Sequence, residues 1–184
     1  MAPIPYRIEP DIAGLVHEQV NSPARQSGQA PVVTMSARAI QRYQIEAYVD
    51  GHRYLTDEPV KGGGHDTAPA PLRYFVGAVL QCTLIWCTKV AAADGVPIAE
   101  LTATAEAYLE PGVVGVLREG GPLADGRGFD RMRLVVALTT DSATTDEMAA
   151  AVVGKGIRAC PAAVAFSRGA TLEVSVVHNG TVLA

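Results

Sequence analysis

The residues of this chain best suited to covalent chemistry are its cysteines, and two of the three stand where a sulfur would be both sheltered and held in a fixed orientation. Cys82 lies inside an apolar run, Tyr74 to Thr88, that carries no formal charge, and Cys160 directly precedes Pro161. Together they point to thiol chemistry rather than to a disulfide-stapled scaffold. Cys87 follows Cys82 by five residues, about 140° around a helix, so the two face different ways and cannot bridge while the helix is intact. Cys87 is therefore expected to be core packing.

Other chemistries find less support. The Gly62-Gly63-Gly64 loop lacks both GxGxxG and the P-loop Lys-Ser/Thr, and is expected to be a turn rather than a phosphate cradle. His65 and Asp66 are adjacent in sequence and point in different directions, which argues against a Cys-His-Asp relay. The four histidines are scattered with no C-x-x-C or H-x-x-x-H spacing, so neither a metal nor another cofactor is expected. A net charge of −4 without a dense Lys/Arg cluster argues against nucleic acid or an anionic membrane as the main partner. The uncharged stretch around Cys82 is shorter than the ~20 residues a bilayer needs, so a buried core helix is expected there. Three cysteines and no basic-then-apolar start over Met1 to Pro10 place the protein, by expectation, in a reducing cytoplasm.

The elements that must position the thiols can be read in order. With 184 residues, 48% of them hydrophobic, one substantial core is expected. Residues 1–30 read as an extension with a short amphipathic helix over Asp11 to Val20 and a linker over Asn21 to Pro31; residues 31–184 read as the main domain. Strands are expected over Val32 to Ile40, Arg42 to Val49 and His52 to Thr56, the last two joined by an Asp50-Gly51 hairpin turn. Pro71 suits the first turn of a long helix running to about Ala93, stopped by Asp94-Gly95. Its apolar residues spread around the whole circumference, so it should be covered on most sides by sheet, helix or a second subunit. Strands follow at Leu101 to Leu109, Val113 to Leu117 and Met132 to Thr139, with a Gly-rich connection over Arg118 to Gly128. Thr144 and Glu147 have the spacing of a capping box before a helix over Thr145 to Ala159, with Gly154 and Gly156 weakening its middle. Pro161 disfavours helical geometry at Cys160, which should sit at a break before a helix from Pro161 to Arg168 and a final strand, Thr171 to Val177. The sum is α+β, with antiparallel strands packed on one long apolar helix.

Several of these pieces occur in an order that resembles the OsmC/Ohr family: Asp57-Glu58-Pro59, Gly62-Gly63-Gly64-His65-Asp66, Pro69-Ala70-Pro71, a helix bearing Cys82, and a distant Cys160-Pro161. The resemblance covers roughly Val32 to Val177. It implies an antiparallel sheet around a long buried central helix, in an intertwined homodimer with active sites at the subunit interface. It further implies thiol-dependent reduction of organic hydroperoxides, with Cys82 as the peroxidatic cysteine, Cys160 as the resolving one, and an external dithiol as reductant. The activating arginine of the family comes from the first strand pair, where Arg38 and Arg42 are both candidates. One departure stands out: the family peroxidases carry a glutamate where this chain has Arg73, so Arg73 is a third candidate for the positive field at Cys82. The same departure opens an alternative, an OsmC-like protein without peroxidase activity that binds a small hydrophobic ligand at the dimer interface.

Overall fold

The computed structural model describes residues 8, 11–21, 33–110, 128–168, 177–178 and 181–182. The linker expected over 21–31 and the strands at 113–117 and 171–177 lie wholly or almost wholly outside these residues. Helix α1 (Ile12–Asn21) is followed by β1 (Met35–Gln41), β2 (Gln44–Val49) and β3 (His52–Thr56), an antiparallel sheet in that order. The β2–β3 turn is Asp50-Gly51, with φ of 48° and 81°, as the dipeptide predicts. Arg42 differs from its expected place at the start of a strand: with φ 45° it belongs to the two-residue turn between β1 and β2.

A single 3₁₀ turn, Val60–Gly62, leads toward helix α2 (Pro71–Asp94). Pro71 occupies its first turn, and Gly95, at φ 67°, closes it with its N–H directed at the Ala91 and Ala92 carbonyls. By length and apolar composition α2 could cross a bilayer, yet it carries the packed core of the protein. Its buried residues are Val79, Thr83, Cys87 and Ala91, each four after the last, one stripe down one face. The expectation of cover on most sides therefore fails within one chain: Leu72, Tyr74, Phe75 and Ile85 stay exposed.

The hairpin β4 (Ile98–Leu109) and β5 (Phe129–Thr140) pairs Leu101 with Leu138, Ala103 with Val136 and Ala105 with Leu134, so these residues share the half-buried face. Helix α3 (Asp146–Ala159) and helix α4 (Pro161–Arg168) meet at 70°, with Cys160 between them. The cap of α3 lies one residue later than the sequence spacing indicates. Thr145, not Thr144, accepts from the Met148 N–H at 3.3 Å. The hydroxyl of Thr144 is held instead by Asp141, 3.0 Å away, which also gathers the backbone N–H groups of residues 143 and 144. A short hairpin, β6 (Val177–His178) and β7 (Thr181–Val182), ends the described chain.

Candidate active site

The α2 stripe is met by α3 running in the opposite direction. A Cβ on Gly156 would stand 2.7 Å from Cys87 Sγ, and one turn later the Thr83 hydroxyl lies 3.7 Å from Cys160 Sγ. Glycine is therefore required where the sequence suggests only a weakened helix: it lets the two backbones approach and lowers Cys160 onto α2. Pro161 then turns the chain, so α4 begins beside sulfur. The Ala163 N–H donates to Cys160 Sγ at 3.4 Å, and the Ala162 N–H lies near enough to Cys82 to lower its thiol.

The two cysteines meet here. Cys160 is near enough to half-buried Cys82 to act on its thiol, and all three cysteines are free thiols. Burial pushes the Cys82 thiol above its ordinary value and Cys160 adds to the rise, while the Ala162 N–H and the charge of Lys89 pull the other way. Cys87 is fully buried, which pushes its thiol up, and Cys160 contributes to that rise as well. Two turns toward the start of α2, Phe75 stacks on Phe129 at 5.5 Å, and Phe166 of α4 closes the group.

The three arginines have other surroundings in the protomer. Arg38 on β1 grips Glu46 of β2, with Nε and a terminal nitrogen 2.7 and 2.6 Å from Oε2, and Arg53 of β3 holds Oε1. Hydrogen bonds from Arg53 and Arg38 keep the Glu46 carboxyl at about 2, although its residue is only 3% exposed. Arg42 donates to the Gly63 carbonyl at 3.2 Å, and Arg73 is exposed on the first turn of α2. A cation that does act on Cys82 is Lys89, two turns along the same helix, packed over the Trp86 ring.

Sequence reasoning missed Glu46 and Lys89. The first had a signal: once Asp50-Gly51 fixes the β2–β3 hairpin, Glu46 falls opposite Leu55, on the same face as Arg53 two residues away. Asp57, in the sequence only part of a motif, is fully buried and organises the turn before α2. Burial alone would raise its carboxyl. The hydroxyl and N–H of Thr67, with the N–H groups of His65 and Glu58, outweigh that and hold it at about 2. His65 thus contributes its backbone, and its side chain is exposed. Among the described residues no group of three His, Cys, Asp or Glu side chains is placed to hold a metal.

Residues 63–175 match the model of the OsmC family, described as OsmC-like protein. The chain belongs to this family. Both Cys82 and Cys160 fall inside the matched span of this OsmC-like protein, whereas α1, Arg38 and Arg42 precede it. Solved structures share the fold. An OsmC-like protein from Mycoplasma pneumoniae superposes with a TM-score of 0.63 at 13% identity, covering 77% of this chain and 91% of its own. An organic hydroperoxide resistance protein from Elizabethkingia anophelis gives 0.56 at 20% identity, with 77% and 91% covered. One from Legionella pneumophila, described also as a predicted redox protein, gives 0.55 at 21%, with 76% and 90% covered. No functionally curated protein is significantly similar to the chain.

Proposed function

We propose that this OsmC-like protein is a thiol-dependent peroxidase that reduces organic hydroperoxides. The observation that carries the reading is the approach of two sulfurs, remote in the chain, in an apolar layer where a backbone N–H donates to Cys160 and another lies near Cys82. The Elizabethkingia and Legionella structures, both of organic hydroperoxide resistance proteins, support it. The Cys82 thiolate attacks the terminal oxygen of R–O–OH, the O–O bond breaks, and the departing alkoxide takes a proton to leave as ROH. Cys82 is then a sulfenic acid, which the Cys160 thiol attacks, releasing water and forming a disulfide. An external dithiol restores both thiols by exchange. An intertwined homodimer would cover the exposed start of α2, Leu72 to Phe75, and bring an arginine of the partner's first strands toward Cys82. Arg38, held by Glu46, is the better preorganised candidate; Arg42 is committed to Gly63.

A second reading is favoured by two observations: burial and Cys160 push the Cys82 thiol up, and exposed Arg73 replaces the family's glutamate. On that reading the protein binds a hydrophobic ligand without peroxidase chemistry. Thiol titration after one equivalent of cumene hydroperoxide separates the two. Rapid loss of two thiols, abolished in Cys82→Ser and reduced to a single Cys82 oxidation in Cys160→Ser, is the expected result. Slow, indiscriminate loss of all three thiols would defeat the peroxidase.

A further inference from the structure

Helix α1 precedes the span matched by the family and lies against α2. Between the two is a cavity of about 190 Å³ lined by Ile12, Leu15 and Val16 of α1 and by Ile85, Thr88 and Lys89 of α2. Helical geometry fixes where this cavity stands relative to the thiol. Ile85 and Lys89 follow Cys82 by three and seven residues, within about 60° of it around the helix and about one and two turns along. Lys89 joins the two places, since it lines the cavity while its charge acts on Cys82.

The character of the walls selects the occupant. Four of the six lining side chains are hydrocarbon, the Thr88 hydroxyl is turned back to the Leu84 carbonyl at 3.1 Å, and the Lys89 ammonium sits 4.8 Å over the Trp86 ring. The volume admits about six groups of water size. That is smaller than the ~300 Å³ at which pockets for whole ligands begin, and too small for a strand or helix of a partner. It suits the tail of a molecule whose reactive head is elsewhere. The rim is open, with Leu15 46% and Ile85 55% exposed.

We propose that this cavity receives the unbranched aliphatic tail of the hydroperoxide reduced at Cys82, so that α1, a part of this chain outside the matched family span, sets the tail length accepted. The inference rests on the peroxidase reading and is tested so that the two can fail separately. Each methylene removed from water is worth roughly fourfold in binding, so a tail of several carbons raises affinity tenfold or more. The full-length protein is titrated with decan-1-ol, the reduced product of decyl hydroperoxide, following emission of Trp86, the sole tryptophan. Leu15→Glu places a charge in the cavity from a half-exposed position that tolerates it, with circular dichroism as the check on folding.

Saturable change with decan-1-ol, absent with tert-butyl alcohol and weakened at least roughly tenfold in Leu15→Glu, is expected. The ratio of kcat/KM for decyl over tert-butyl hydroperoxide should fall by a similar factor in the variant. No response of the wild type to decan-1-ol overturns the inference, as does an equal response of the variant. A second copy of the chain seated over this face would produce the former. Binding as expected without any peroxide turnover would retain the tail site and remove the peroxidase reading instead.

Discussion

The layer of α2, α3 and α4 and the sheet of β1 to β3 are fixed by different physics. In the layer close packing dominates: Thr83, Cys87, Ala91, Val152, Gly156 and Cys160 exclude water, burial pushes the Cys82 and Cys87 thiols up, and the Lys155–Asp94 ion pair stands at the half-exposed edge. In the sheet every residue of β1 is exposed, and the buried carboxylate of Glu46 is held between two largely solvated guanidinium groups. The turn anchored on Asp57 joins them, with Tyr74 of α2 also reaching the Leu55 carbonyl of β3 at 3.1 Å. Shape holds the first region and charge the second, so the two should fail under different insults.

The largest effect should come from breaking the joint itself. A Cβ on Gly64 would lie 1.9 Å from the Glu58 carbonyl oxygen, a backbone atom that cannot swing away. Gly64→Ala should cost more than about 4 kcal/mol and leave little folded protein, read as loss of soluble material or of a cooperative melt. Next, Gly156→Ala should overpack the thiol layer by about 1–3 kcal/mol and lift Cys160 from Thr83, slowing formation of the Cys82–Cys160 disulfide. Gly154→Ala, whose nearest neighbour is the flexible end of Arg158 at 3.4 Å, should be neutral or stabilising by about 0.5–1 kcal/mol, which separates packing from helix propensity.

The smallest effect should be graded and confined to acid. Glu46 and Asp57 are held at about 2, below their ordinary 4.5 and 3.8, so each contributes stability present above those ordinary values and lost as pH falls toward 2. Hydrogen exchange between pH 5 and 2 should report earlier opening of β1 to β3 than of α2 and α3. Glu46→Gln should flatten the sheet's part of that dependence. Simultaneous opening of both regions across this range would contradict the division drawn between them.

Much of the frame was legible because local chemistry is decisive at a few positions. Asp50-Gly51 is a turn since both residues accept positive φ; Pro71 and Gly95 bracket α2; Pro161 ends α3 at Cys160 whatever surrounds it. Misreadings arose where neighbouring residues competed for one role. Thr144 and Thr145 are equally good caps, and Asp141 decides by taking the first hydroxyl for itself. By sequence Gly156 is only a weak point in a helix, because its use is to admit the Cys87 sulfur of the facing helix.

Residue identity by itself determined the order of the elements from α1 to α4 among the described residues, the break that presents Cys160, and the family, since each depends on neighbours within a few positions or on the spacing of a motif. Only the folded arrangement decided that Cys160 descends on Cys82, that Glu46 gathers Arg38 and Arg53, and that α1 walls a cavity on the thiol's side of α2. Those depend on how closely two backbones approach and which groups lose water together, quantities that exist only once distant segments share a surface.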